Sequence, residues 1–181
     1  MLDGVKPIIA KSEVVIASGL TVTNNLKKGL ILENGNLIGQ DENSTFVNLK
    51  EVVFTKAAIP MEGSIIDFSA VGNIAIYEGY GDQTIIGTVY DGLEILQNPD
   101  KTESTRTLTD DLIVNNYFLL EGKTTLQMQG HSIHALNEAE IKGTITNIDT
   151  LGTVNFELLY SRGADFVGYA DTPLVVTVNQ N

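Results

Sequence analysis

The stretch Thr84 to Leu96, TIIGTVYDGLEIL, constrains the fold more than any other part of the chain. Val, Ile, Thr and Tyr crowd its first half, the composition of a pleated, half-buried strand. Asp91-Gly92 follows, the pair that a tight hairpin turn prefers because both central residues can take positive φ. Leu93 to Leu96 then offers a short return strand. Directly upstream, Asn73 to Tyr77 is another apolar run, with Glu78 to Asp82 as its turn. The expected unit is three antiparallel strands in the middle of the sequence.

Similar punctuation runs through the rest. Lys6-Pro7 marks an extended beginning, since Pro suits the start of a strand or an edge. Glu13 to Thr23 reads as two short strands around Ser18-Gly19. Lys28 to Leu32 is a strand, and Glu33-Asn34-Gly35-Asn36 carries an Asn-Gly hairpin signal before Leu37-Ile38. Phe46 to Ala58 is a strand or a short helix, ended by Pro60. Leu112 to Leu120, Thr124 to Gln129, Thr144 to Ile148 and Leu174 to Val178 are further strand candidates, with Asp149-Thr150-Leu151-Gly152 as a turn. Thr153 to Tyr160 alternates most cleanly and places Val154, Phe156, Leu158 and Tyr160 on one face. HALNEAEIK, within His131 to Lys142, has the composition of a helix, although Gly130 and Gly143 bracket it tightly enough for a strand.

Short strands with turn signals every eight to twelve residues or so predict an all-β chain, an antiparallel β-sandwich or barrel with at most one short helix. No internal repeat is evident. Asn98 to Arg106, NPDKTESTR, is polar and holds a proline. It divides the expected chain into an arm over 1–25, a β-barrel domain over 26–97, a linker over 98–106 and a second β-sandwich over 107–181.

The net charge of −12 argues against nucleic acid, because an acidic surface repels phosphates. Residues 1 to 28 nevertheless carry Lys6, Lys11, Lys27 and Lys28 against Asp3 and Glu13, a net of +2. A mildly basic leader on an acidic body suits an acidic partner, and Lys6, Pro7, Lys11, Lys27 and Lys28 are the candidate partner-binding residues. With no cysteine, disulfides and thiolate metal sites are excluded. No signal peptide and no membrane-length apolar run is expected, so the reading is a soluble cytoplasmic product.

Four groupings could carry chemistry. His131 and His134, with Glu138, could ligate zinc if they shared a helix face, but they match no established zinc motif. Asp165 and Asp171 could hold calcium, although the alternating calcium-loop pattern is missing. Asp41-Glu42 and Asp110-Asp111 are carboxylate pairs on polar stretches, read as solvated. Gly79-x-Gly81 with Gly87 lacks the helix and the Lys-Ser/Thr of a phosphate loop. There is no Gly-x-Ser-x-Gly and no thiol nucleophile. Neither an enzyme nor a cofactor is expected. Tyr80 and Tyr169 are possible sugar platforms, or amphipathic edge packing.

Two stretches, Leu26 to Ile38 (LKKGLILENGNLI) and Ile85 to Glu94 (IIGTVYDGLE), resemble the small head-decoration proteins of tailed bacteriophages. That resemblance implies a non-enzymatic virion protein on the capsid surface, made in the bacterial host's cytoplasm. Its arm would add a strand to the major capsid protein, and its body would form homotrimers. Head-fibre or tail components, and a carbohydrate-binding adhesin module, are the alternatives.

Overall fold

A computed structural model describes residues 6–33, 37–56, 65–148, 151–169 and 174–179. Their regular structure is all strand. The first eight are β1 (Ile8–Ala10), β2 (Val14–Ile16), β3 (Thr21–Asn24), β4 (Leu30–Leu32), β5 (Leu37–Gly39), β6 (Thr45–Asn48), β7 (Glu51–Lys56) and β8 (Ile65–Asp67). The middle holds β9 (Ile74–Tyr80), β10 (Gln83–Ile85), β11 (Val89–Ile95), β12 (Ser104–Leu108), β13 (Leu112–Leu120) and β14 (Thr124–Gln127). The last five are β15 (Ser132–Ile141), β16 (Thr144–Thr146), β17 (Gly152–Ser161), β18 (Asp165–Val167) and β19 (Leu174–Val178).

Every strand pairing between these elements is parallel, and each strand stacks on a counterpart roughly one turn away in sequence. The chain is a β-solenoid of about seven turns, not an antiparallel sandwich or barrel. The pairings trace three faces. The first is the sheet of β3, β6 and β8, carried upward by the front halves of β11, β13, β15 and β17 and by β19; a bridge from Phe68 to Tyr90 joins the two parts. The second stacks β1, β4, β7 and β9 beneath the back halves of β11, β13, β15 and β17. The third consists of β2–β5 and of β10, β12, β14, β16 and β18.

Inward positions align into columns. One runs Ile8, Leu30, Val52, Ala75, Leu93, Phe118, Ala139, Leu159, with neighbours 18 to 25 residues apart. Its parallel column runs Ala10, Leu32, Phe54, Tyr77, Ile95, Leu120, Ile141. Inner members of both columns are buried, each Val, Leu, Ile or Phe among them contributing about 1.5–3 kcal/mol of apolar burial. Aromatics fill the middle: Phe54 stacks on Tyr77 at 4.9 Å and Phe68 on Tyr90 at 4.9 Å. The two tyrosine hydroxyls lie 3.0 Å apart, and Tyr90 donates to the Ile86 carbonyl. Burial pushes the Tyr77 phenol up to about 12 and Tyr90 well above its ordinary value.

Corners are held by polar side chains that bond one turn to the next. Asn24 Nδ2 donates to Asn48 Oδ1 at 2.7 Å, and Asn48 Nδ2 donates to Asn73 Oδ1 at 3.3 Å, a buried amide ladder. Asp91 takes the next position and accepts the Gly72 N–H at 2.7 Å. Asp91-Gly92 is therefore not a hairpin turn. Gly92 sits where a Cβ would stand 3.0 Å from the Asn73 carbonyl, so the missing side chain lets the turn below approach.

Other expectations are corrected in the same way. All but the last residue of HALNEAEIK lies within β15, where Ile133, Ala135, Ala139 and Ile141 face the core; stacking between β13 and β17 overrides propensity. The single face expected for Val154 to Tyr160 breaks after Phe156, where β17 passes from the first face to the second and Leu159, not Leu158, continues the inward column. Val154 and Phe156 are buried, while Tyr160 is exposed. No domain boundary falls at 98–106: the nine-stranded sheet runs from β1 to β19, Asn98 and Arg106 are buried, and β12 begins at Ser104. Nor are residues 6–25 a free arm, since β1, β2 and β3 form the first turn. The Asn34-Gly35 turn, Pro60, Asp149-Thr150 and Asp171 lie outside the described residues.

Candidate functional site

The interior is filled by its own side chains, so candidate chemistry lies on the outside. The corner leading into the first face brings together two groups that the sequence kept separate. Asp110 and Asp111 precede β13, and His131 precedes β15. Because Leu112 pairs with Ile133, Asp110 and His131 fall in register on adjacent turns. One donor atom from each of Asp110, Asp111 and His131 lies within 4.8 Å of the others. Two carboxylate oxygens and an imidazole nitrogen are a donor set that a divalent cation accepts.

Both aspartates also bond to the backbone there. Asp111 Oδ1 accepts the Ser132 N–H at 2.8 Å, and Asp110 Oδ1 accepts the Asp111 N–H at 2.8 Å. The Ser132 bond ties two turns together, as Asp82 does for Thr105 N–H at 2.8 Å and Thr109 Oγ1 for Gly87 N–H at 3.1 Å. A small hollow of about 170 Å³ adjoins the cluster, lined by Asp111, Ser132 and His134 among others. His134 is not part of the donor set. It lies on β15, exposed, and Asn155 Nδ2 lies 2.7 Å from its Nε2. Glu138 lies farther along β15, beyond the register shift. The grouping of both histidines with Glu138 is therefore not realised.

The larger concavity, about 400 Å³, lies against the second face near its base. Ile9, Ile31 and Thr55 contribute to it, with Glu33, Glu78, Gly79, Tyr80 and Pro99. Tyr80 is 64% exposed here. Gly79 is a packing residue in β9, where an added Cβ would stand 2.4 Å from the Thr55 carbonyl, and Gly81 takes the corner with φ of 78°. Neither belongs to a phosphate loop. Tyr169 is exposed beyond β18, toward the opposite end of the solenoid.

Higher on the second face stands a group of acids. Glu94 is held above the usual carboxylate range by burial, reinforced by Glu51 and Glu121. Burial raises Tyr117 too, with Glu140 adding to the effect. Glu140 itself is lowered, chiefly by its bond to Lys142, whose Nζ lies 2.8 Å away.

Arg106 is a residue that sequence reasoning passed over as part of a linker. It is fully buried, with its guanidinium donating to the carbonyls of Gly81, Gly79 and Leu96 and to Asn98 Oδ1. Burial lowers it to about 10. Its partners are all corner carbonyls and an amide, so it clamps the turn between the second and third faces. The Thr-Arg-Thr alternation in STRTL was the available signal for a strand here.

Asp41 accepts bonds from Ser18 and Ser44 hydroxyls and from the Asn43 N–H, another corner cap; the Ser18 bond is the main reason its carboxyl is lowered. Asp165 is exposed at the start of β18. Lys6, Pro7, Lys11, Lys27 and Lys28 all fall in or beside the first turn, exposed, and Lys11 pairs with Glu33 at 3.8 Å. No family model, no curated protein and no solved structure matches the chain.

Proposed function

We propose that the protein is a non-enzymatic structural component of a tailed-bacteriophage virion, where it serves as a stiff β rod. The observation that carries this reading is the nine-stranded parallel sheet running through the described turns, with an interior filled by the chain's own side chains. Such a stack resists bending because each turn is bonded and packed onto the next. A rod favours a head-fibre or tail component over a decoration protein fastened by an arm, since residues 8–24 belong to the first turn. The exposed lysines at that end supply the contact to an acidic virion partner.

The test is sedimentation of the purified protein with expanded capsids and with isolated tails of a tailed phage. Retention on either is expected, with loss of retention when Lys6, Lys27 and Lys28 become Glu. Failure to bind either particle, or turnover of a polysaccharide by the protein, contradicts the proposal.

The groove at Tyr80 favours a second reading, a carbohydrate-binding module. An exposed tyrosine beside Glu33 and Glu78 offers a stacking surface and hydroxyl acceptors. Saturable binding on a glycan array, abolished by Tyr80→Ala, would support it.

A further inference from the structure

The two ends of the solenoid are complementary in a way that its sides are not. The lowest turn presents β1 on the second face, β2 on the third and β3 on the first. The highest turn presents the back half of β17, then β18, then β19, on the same faces in the same order. All six segments belong to parallel sheets, so a second copy placed on top in the same orientation would continue every one of them.

The hydrogen-bonding pattern fits. Ile8 N–H donates to Gly29 O and Gln40 N–H to Ile16 O, so the alternation along parallel strands turns Ile9 and Val15 toward the free lower edge. Asn179 N–H donates to Phe156 O and Asp165 N–H to Gly143 O, which turns Val176 and Phe166 toward the free upper edge. Among the described residues nothing pairs with these edges. Both ends also leave core positions uncovered: Ile8 is 36% exposed, Val176 37% and Val178 40%. The uppermost strand, LVVTV, holds no charge to blunt its edge. Charge favours unlike ends meeting. Residues 1–28 are net +2, whereas residues 129–181 hold six acidic residues against two basic ones.

We propose that copies of this chain stack head to tail, β1, β2 and β3 of one pairing with β17, β18 and β19 of the next, through a heterologous contact that extends the solenoid. Leu159 would then continue its column onto Ile8 of the next copy. Such an interface does not close on itself, so growth is open-ended. This inference is independent of the particle to which the protein belongs.

Two edge-blocked variants test it. Ile9→Pro with Val15→Pro removes outward N–H groups at the lower end, and Val176→Pro with Val178→Pro does so at the upper end. Neither removes a donor to the strand within the molecule. Analytical ultracentrifugation of the wild type over a concentration series should show masses climbing through multiples of 19.6 kDa. Each variant alone should stay at the monomer mass, and an equimolar mixture should form a 1:1 dimer, because each brings one intact end. A wild type that remains monomeric, or that stops at a fixed dimer or trimer, overturns the proposal, as does a variant that self-associates alone. Circular dichroism confirms that the variants fold. If either does not, the wild-type series decides alone, open-ended growth supporting the proposal and a fixed mass overturning it.

Discussion

At the scale of single residues, the molecule depends on polar groups that bond across corners. Arg106 is the extreme case, a buried cation whose two terminal nitrogens donate to carbonyls instead of a carboxylate while its Nε has no hydrogen-bond partner. Arg106→Leu would leave those carbonyls without a donor, each buried orphan costing about 1–3 kcal/mol. We expect a loss of about 3 kcal/mol or more in urea unfolding. Glu94 works in the opposite direction. Its folded pKa is raised by burial and by Glu51 and Glu121, so ionising it opposes folding. Stability associated with its protonated form is present below the unfolded pKa and lost as pH rises through the folded one. Glu94→Gln should therefore raise the unfolding free energy at neutral pH, by less than about 1 kcal/mol given its partial exposure, and have no effect at about pH 3. A destabilised variant at neutral pH would show that Glu94 has a cationic partner instead.

At the scale of elements, stability comes from ladders more than from individual strands, many of which are three residues long. The Asn24–Asn48–Asn73 ladder joins three turns at one corner, and Asn48 is its middle member, also donating to the Lys50 carbonyl at 2.7 Å. Asn48→Ala and Asn24→Ala should each cost about 2–3 kcal/mol, since Asn24 also donates to the Glu51 carbonyl and accepts the Leu26 N–H. Strictly additive losses in the double variant, read by chemical denaturation, would contradict a ladder. Most strands were legible in the sequence as β-branched runs between Gly/Asn/Asp punctuation, but β12 fell within the expected linker and β15 carried a helical composition. Strand direction was not. Asp91-Gly92 and Ser18-Gly19 have the chemistry of reversing turns, yet a solenoid corner makes the same demands for small residues, positive φ and side-chain caps. The repeat was hidden because turns align by position and not by residue type: one column passes through Ile, Leu, Val, Ala and Phe at intervals of 18 to 25 residues. The cluster of Asp110, Asp111 and His131 was legible only as two separate fragments, because their adjacency follows from the pairing of β13 with β15.

At the scale of the whole molecule, the chain is a stack in which neighbouring turns support one another, with charge unevenly divided between a lysine-bearing base and an acidic remainder. Stiffness, the exposed edges at either end and the open surface groove all follow from that single arrangement. The arrangement itself rests on the parallel stacking of β9, β11 and β13, where local sequence argues most strongly for a hairpin. Its most direct test is a nuclear Overhauser experiment on deuterated protein, read at Leu93. The solenoid predicts backbone contacts from Leu93 to Ala75 on one side and Phe118 on the other, and none to Tyr90 across Asp91-Gly92. Contacts between Leu93 and Tyr90 typical of a two-residue hairpin, with Ala75 and Phe118 remote, would contradict it.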